Sequence, residues 1–422
     1  MNASLRSVVN LAMREKSVNG APEDPHSSPY RWVMLALLWL LYAFFGIAYR
    51  SISPLVTPIL EDLNMSYSQM GFVLGSWQLT YIGASTVAGF FIDRWGIRRS
   101  LFFGALIIAL SVGLRYFAGS FVPFLAMVAL FGVGGPMISI GCPKTIALWF
   151  HGRDRGTAVG IYSTGPFFGG AMALIATNRA VMPLTGYSWR LTFALYGILT
   201  LFVACLWWFL ARDLKTSEAS ESTGMKGVLA TLLGVRAIRI VLVCGLLTFA
   251  IIHGLTSWLP RILEGQGFSP AFAGYASSIP LLAGIPSLLI LPRFIPPDRR
   301  GMALAVMAVL SGSSVWLILC LTGILMYVGL VLYGIAACTL VPLLTLILME
   351  TPEVGAKHMG SAGGLFFCIS EIGGFMGPFL LGALVDWTGG FLAGGYFVVA
   401  LSLGILIMSF LMQKKTVGNL FL

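Results

Sequence analysis

Charge is scarce in this sequence: Asp, Glu, Lys and Arg make up 10% of its 422 residues, and only 16 of those are acidic. A soluble globule carries roughly a quarter of its residues as charge, so a wholly water-facing surface is excluded, in keeping with a mean hydropathy of +0.90. Long polar segments are also missing, with one interruption, residues 212–236 (RDLKTSEASESTGMKGVLATLLGVR). The four His and six Cys show no metal-ligand spacing and no nucleophile–base pattern, so no cofactor is implied and an enzyme is the least expected class. Most of the cysteines lie inside apolar runs and read as small core residues. A cleavable leader is not expected either, because SLRSVVNLAMREK is interrupted by charge and leads into the turn-rich APEDPHSSP; a short amphipathic surface helix is the reading of residues 1–30.

The rest of the chain is apolar runs long enough to cross a hydrocarbon core of about 30 Å as helices. Twelve are expected: 32–54, 69–92, 101–118, 121–150, 157–180, 190–210, 238–259, 270–292, 302–320, 323–349, 360–385 and 391–412. The net charge of +10 does not point to nucleic acid, since the basic residues fall in short segments between spans. With a cytoplasmic N-terminus, 20 of the 26 Lys and Arg lie on the cytoplasmic side, while Arg115, Arg179, Arg190 and Arg261 lie opposite and Arg50 and Lys144 fall within spans. Positive charge is retained inside, so both termini are expected in the cytoplasm of a multi-pass cell-membrane protein.

The chain is also written twice. LEDLNMSYSQMG at Leu60 matches LEGQGFSPAFAG at Leu263, 203 positions later, and RGTAVG at Arg155 matches MGSAGG at Met359, 204 later. A duplicated six-helix unit follows, giving an N-terminal bundle over 31–211, a linker over 212–236, a C-terminal bundle over 237–412, and tails at 1–30 and 413–422. The fold class is therefore all-α membrane protein, with twelve transmembrane helices in two pseudo-symmetric six-helix bundles. Glycines four apart (Gly156 and Gly160, Gly165 and Gly169, Gly360 and Gly364, Gly373 and Gly377) mark the fifth and eleventh helices as close-packing ones.

Between the second and third spans stands GFFIDRWGIRRS, with Gly89, Asp93, Arg94, Gly96, Arg98 and Arg99 at the positions of a Gly-x-x-x-Asp-Arg-x-Gly-x-Arg-Arg motif. The stretch resembles the signature loop of the major facilitator superfamily, and PRFIPPDRRG resembles a degenerate copy in the second half. The resemblance implies a transporter working by alternating access, with this loop gating the cytoplasmic face. Asp93 is expected to accept from the N-terminus of a neighbouring helix and from a basic side chain only while the halves are closed on that face. Arg153 and Glu350 are expected to form gate pairs with the same loop.

Ionisable residues at membrane depth cost about 2.5–3.5 kcal/mol on insertion scales and invite a function. Arg50 lies deep in the first span, and the 203-residue offset puts His253 at the same point of the seventh. Two basic groups across the pseudo-two-fold suit an anion, which a guanidinium grips through paired hydrogen bonds; snorkelling of Arg50 to the interface and a core role for His253 are the alternatives. Glu371 is the acid nearest the centre of a span, read as a proton carrier or as a brace for the eleventh helix. Lys144 either completes the anion site from the inside or snorkels, and Arg115 is expected at the outer interface. Gln78, Tyr81 and Tyr162, with Tyr42, Thr256 and Trp258, are candidate cavity residues. The pattern around Arg50 is similar to the anion-transporting branches of the superfamily, including organic anion symporters, and WFHGRDRGTAVGIYSTG loosely resembles the cyanate and nitrate porter branches. The expected function is a proton-coupled carrier of a small organic or inorganic anion, acting as a monomer; the alternatives are a proton-coupled exporter of lipophilic compounds and a transporter-like nutrient receptor.

Overall fold

The structure, a computed structural model, describes residues 28–213 and 232–418. Most of the expected linker, the N-terminal amphipathic segment and the end of the C-terminal tail lie outside the described residues.

The apolar runs form twelve long helices: α1 Tyr30–Arg50, α2 Tyr67–Trp95, α3 Ile97–Leu114, α4 Phe121–Trp149, α5 Gly152–Ala176, α6 Trp189–Leu210, α7 Arg236–Gly265, α8 Pro270–Phe294, α9 Arg300–Cys320, α10 Ile324–Glu350, α11 Gly355–Thr388 and α12 Leu392–Gly418. Eleven stretches of the described residues are long and apolar enough to cross a membrane. The remaining helix, α2, is the more polar one because it carries Trp77, Gln78, Thr80, Tyr81 and Ser85. Helix α1 does not end at the expected boundary: after Arg50 the chain makes a short turn at Ser53–Leu55 and a further helix, Val56–Leu63. Odd-numbered helices run from the face bearing the start of α1 and the end of α12, here the terminal face, to the far face; even-numbered ones return.

The repeat seen in sequence reappears as geometry. Ser66 caps α2 by accepting from Gln69 N, and Ser269, 203 positions later, caps α8 by accepting from Phe272 N. A Cβ on Gly169 of α5 would lie 1.8 Å from the Ala43 carbonyl of α1, and one on Gly373 of α11 would lie 1.9 Å from the Leu246 carbonyl of α7. Only glycine lets these backbones meet, where lipid supplies no hydrophobic drive for helices to associate. Helices α5 and α11 are thus packing helices in their far halves. Gly156, Gly160 and Gly364, nearer the terminal face, meet open space instead.

The two halves are joined at the far face by the same device used twice. A Cβ on Gly71 of α2 would lie 2.4 Å from the Pro378 carbonyl of α11, and one on Gly274 of α8 would lie 2.2 Å from the Leu174 carbonyl of α5. Asp386, near the end of α11, accepts from the backbone N–H of Tyr67 (2.9 Å) and Ser68 (2.7 Å) and from the Ser68 hydroxyl, at the start of α2. Thr57 donates to Glu264, Arg261 donates to Tyr67 Oη at 2.8 Å, and Asn178 bonds the Pro270 carbonyl at 3.2 Å. These bonds between the halves lie toward the far face.

Candidate functional site

Between the halves lies a cavity of about 660 Å³, lined by α1, α2, α4 and α5 on one side and α7, α8, α10 and α11 on the other. Arg50 and His253, placed together by the repeat, both line it. Arg50 is 7% exposed, donates from Nη1 to Thr256 Oγ1 at 2.7 Å, and its guanidinium carbon sits 4.4 Å from the centre of the Tyr49 ring. Tyr49 Oη is 2.7 Å from His253 Nδ1, so two successive residues of α1 engage residues three apart on α7. Arg50 neither points into lipid nor snorkels to an interface. Among the described residues it has no carboxylate partner. A buried guanidinium held by one hydroxyl and one ring has donors to spare, the condition in which a bound oxyanion gains most.

The surroundings of the two basic groups are pseudo-symmetric in position and unlike in chemistry. A Cβ on Gly170 would meet Arg50 Cγ at 3.0 Å and Leu281 Cδ1 at 3.3 Å. A Cβ on Gly374, 204 positions later, would meet Glu371 Oε2 at 3.1 Å, Gln78 Nε2 at 3.2 Å and His253 Cδ2 at 3.2 Å. The absence of a side chain at each glycine makes the room for its basic group. One site is a lone cation against apolar neighbours; the other gathers a carboxyl, an amide and an imidazole. Glu371 is 7% exposed and lines the cavity, and its Oε2 is buried without a hydrogen-bond partner.

The remaining candidates divide. Tyr81 and Tyr42 line the cavity, Tyr81 Oη lying 2.6 Å from Ser139 Oγ. Gln78 does not line it: the residue is fully buried behind the wall, with neither side-chain atom hydrogen-bonded. Tyr162 stacks on Tyr42, ring centres 6.1 Å apart, and does not itself line the cavity. Trp258 is buried and donates to the Pro378 carbonyl at 2.9 Å, a packing role.

Lys144 does not complete the anion site. Its ammonium is ion-paired with Asp93 of the same half at the terminal face, where the Asp93 side chain is 69% exposed. Position along α4 set its depth, and the rotation of α4 turned it toward the end of α2. Asp93 therefore takes the expected basic partner, but from its own half. Glu350 likewise pairs with Arg300 of its own half, not with the signature loop. Arg98 is tied to α6, donating to the Trp208 carbonyl at 2.9 and 2.6 Å, while its N–H donates to Asp213 at 2.8 Å. Gly96, at φ +81, makes the turn that brings Arg98 there, a conformation few side chains tolerate. Arg94 and Arg99 are exposed, Gly89 faces open space, and the expectation for Arg153 falls on a side chain outside the described residues.

Arg115 corrects a further expectation. It is 1% exposed, not interfacial, and lies within 3.5 Å of the Ala48 carbonyl and 3.3 Å of Ser111 Oγ, over the Phe193 ring at 5.1 Å. The end of α1, with its carbonyls facing outward, attracts a cation. Sequence reading also missed Asp386. Its one legible signal is an acid near the end of the eleventh apolar run, opposite the capped start of the second.

Comparison with known proteins agrees with this architecture. The chain is 28% identical over 378 residues to the hexuronate transporter of Bacillus subtilis, covering 83% of this chain and 88% of that one. It is 24% identical to a protein of Cupriavidus necator named as a probable sulfoacetate transporter, over 86% and 89% of the two chains. A bacterial homolog of the human lysosomal transporter Spinster, in an inward-facing and unoccupied conformation, superposes with a TM-score of 0.74 at 16% identity, over 93% and 99% of the chains. The model of the Major Facilitator Superfamily matches residues 38–378, and with that match the chain belongs to this superfamily of membrane transporters.

Proposed function

We propose that the protein is a secondary active transporter that carries a small organic anion across the cell membrane by alternating access, coupled to protons. The observation that carries this reading is Arg50: a guanidinium lining the cavity between the halves, with no carboxylate partner. The relatives named for hexuronate and sulfoacetate support the organic class.

The charge count puts the terminal face in the cytoplasm. The halves are then latched outside and parted inside, ready to release or accept an anion from the cytoplasm. In the proposed cycle Arg50 takes the anion with Thr256 bracing the guanidinium. Glu371 takes or gives up the proton beside His253, on the other side of the pseudo-two-fold. Neutralising both groups removes the cost of enclosing them in a closing, low-dielectric cavity, so loading favours the transition. Closure inside brings the ends of the halves together at Asp93, which exchanges Lys144 for partners across the interface, while the outer bonds of Asp386 break. The cavity is complete within one chain, which supports a working monomer.

Purified protein in proteoliposomes tests this reading with a panel of carboxylates, nitrate and cyanate, with and without an inward proton gradient. Gradient-stimulated uptake of a carboxylate is expected, lost in Arg50→Ala. Uptake and binding that survive Arg50→Ala would remove the anion site.

A further inference from the structure

Resting on the reading of this cavity as an anion site, we infer that its substrate is a monocarboxylate with an apolar, ring-bearing body, unlike the hydroxylated acids for which one of its relatives is named. The walls limit the charge first. Among the lining residues the cationic or cation-capable side chains are Arg50 and His253, and His253 Nδ1 is engaged by Tyr49 Oη. The other ionisable lining group is Glu371, an acid that offers no positive charge in either protonation state. A second carboxylate on the substrate would find no second guanidinium or ammonium to neutralise it in a closing, low-dielectric cavity.

The polar partners are limited next. Thr256 Oγ1 accepts from Arg50 and donates its one hydrogen to the Ile252 carbonyl, so it has no donor left for a substrate. Ser85 donates to the Ile82 carbonyl at 2.8 Å, the hydroxyls of Tyr81 and Ser139 bond each other at 2.6 Å, and Tyr333 donates to the Ile251 carbonyl at 3.2 Å. No Asn or Gln lines the space; Gln78, the nearest amide, is sealed behind the wall. With these donors committed, and Tyr42 the lining hydroxyl that remains, the oxygens of a sugar acid would find few donors to replace water, a desolvation cost.

The walls themselves offer rings. Phe45, Trp77, Phe167, Phe249 and Phe367 line the cavity on both halves, with Phe249 and Phe367 ring centres 6.3 Å apart. Such a surface rewards an apolar body through area buried and ring–ring packing. The geometry therefore selects a carboxylate head at Arg50 and an apolar ring against the phenylalanines.

The test is binding and counterflow by the full-length protein in proteoliposomes with four probes: phenylacetate, phenylacetamide, D-galacturonate and tartrate. Phenylacetate is expected to bind at least about tenfold more tightly than galacturonate or tartrate. Phe367→Ala, with its melting temperature compared with wild type, is expected to weaken phenylacetate severalfold and galacturonate by less, narrowing the preference between them. Galacturonate or tartrate binding as tightly as phenylacetate, through Arg50, overturns the inference and leaves the anion site standing. Phenylacetamide matching phenylacetate, or none of the acids binding, overturns the anion site itself and the inference with it.

Discussion

Asp386 offers the sharpest physical test of the conformational cycle. Its carboxylate joins the end of α11 to the start of α2 by three hydrogen bonds, two of them to backbone N–H groups at 2.9 and 2.7 Å. The start of a helix carries unpaired N–H groups and a partial positive charge, so an acid there is stabilising by about 0.3–1 kcal/mol, and loss of a capping acceptor costs typically about 1 kcal/mol. Because Asp386 is exposed, these solvent-screened values apply and not those of buried charge. Asp386→Ala should then weaken the far-face latch by about 1–2 kcal/mol, and Asp386→Asn, which keeps one acceptor and loses the charge, by about 1 kcal/mol. Such energies change a two-state ratio by roughly 5- to 30-fold. Helix α2 itself should persist, since Ser66 and Gln69 cap each other there independently of Asp386. Spin labels at Leu184 and Ile324, exposed positions at the far face of the two halves, report the change by pulsed dipolar spectroscopy. A longer-distance population is expected to grow in the order wild type, Asn, Ala. Superimposable distance distributions for all three would show that the bonds to α2 do not hold this face closed.

The glycines of the same face give a second handle: Gly71→Val or Gly274→Val places atoms against the Pro378 or Leu174 carbonyl, and should favour the form open at the far face in the same spectroscopic measurement. Gly373→Ala meets the Leu246 carbonyl within one half, so it should lower the melting temperature of the detergent-solubilised protein without that directional bias. Glu371→Gln is expected to abolish proton-driven accumulation while anion exchange across the vesicle membrane continues; accumulation that still follows the pH gradient would place the proton elsewhere. Asp93→Asn should slow turnover with little change in substrate affinity, and equal turnover in vesicles would exclude Asp93 from the inner latch.

Several features were legible before any coordinates. The near absence of charge requires a lipid environment, the lengths of the apolar runs allow helices that span it, and the 203-residue echo requires two similar halves. Depth was legible too: an uncharged run from Arg31 to Glu61 puts Arg50 far from either end of its span, and the echo assigns His253 the same level. What position along a helix leaves open is rotation about the axis. Each residue turns the side chain by about 100°, so the same depth serves a cavity wall, a neighbouring helix or lipid. Tertiary packing made that choice when it turned Arg50 and Glu371 into the cavity, set Gln78 behind it, swung Lys144 to Asp93 and buried Arg115 against the end of α1. It also decided which ends meet across the interface, and so gave Asp386 its role; pairing between helices more than 300 residues apart depends on how two finished bundles dock, which no local pattern encodes.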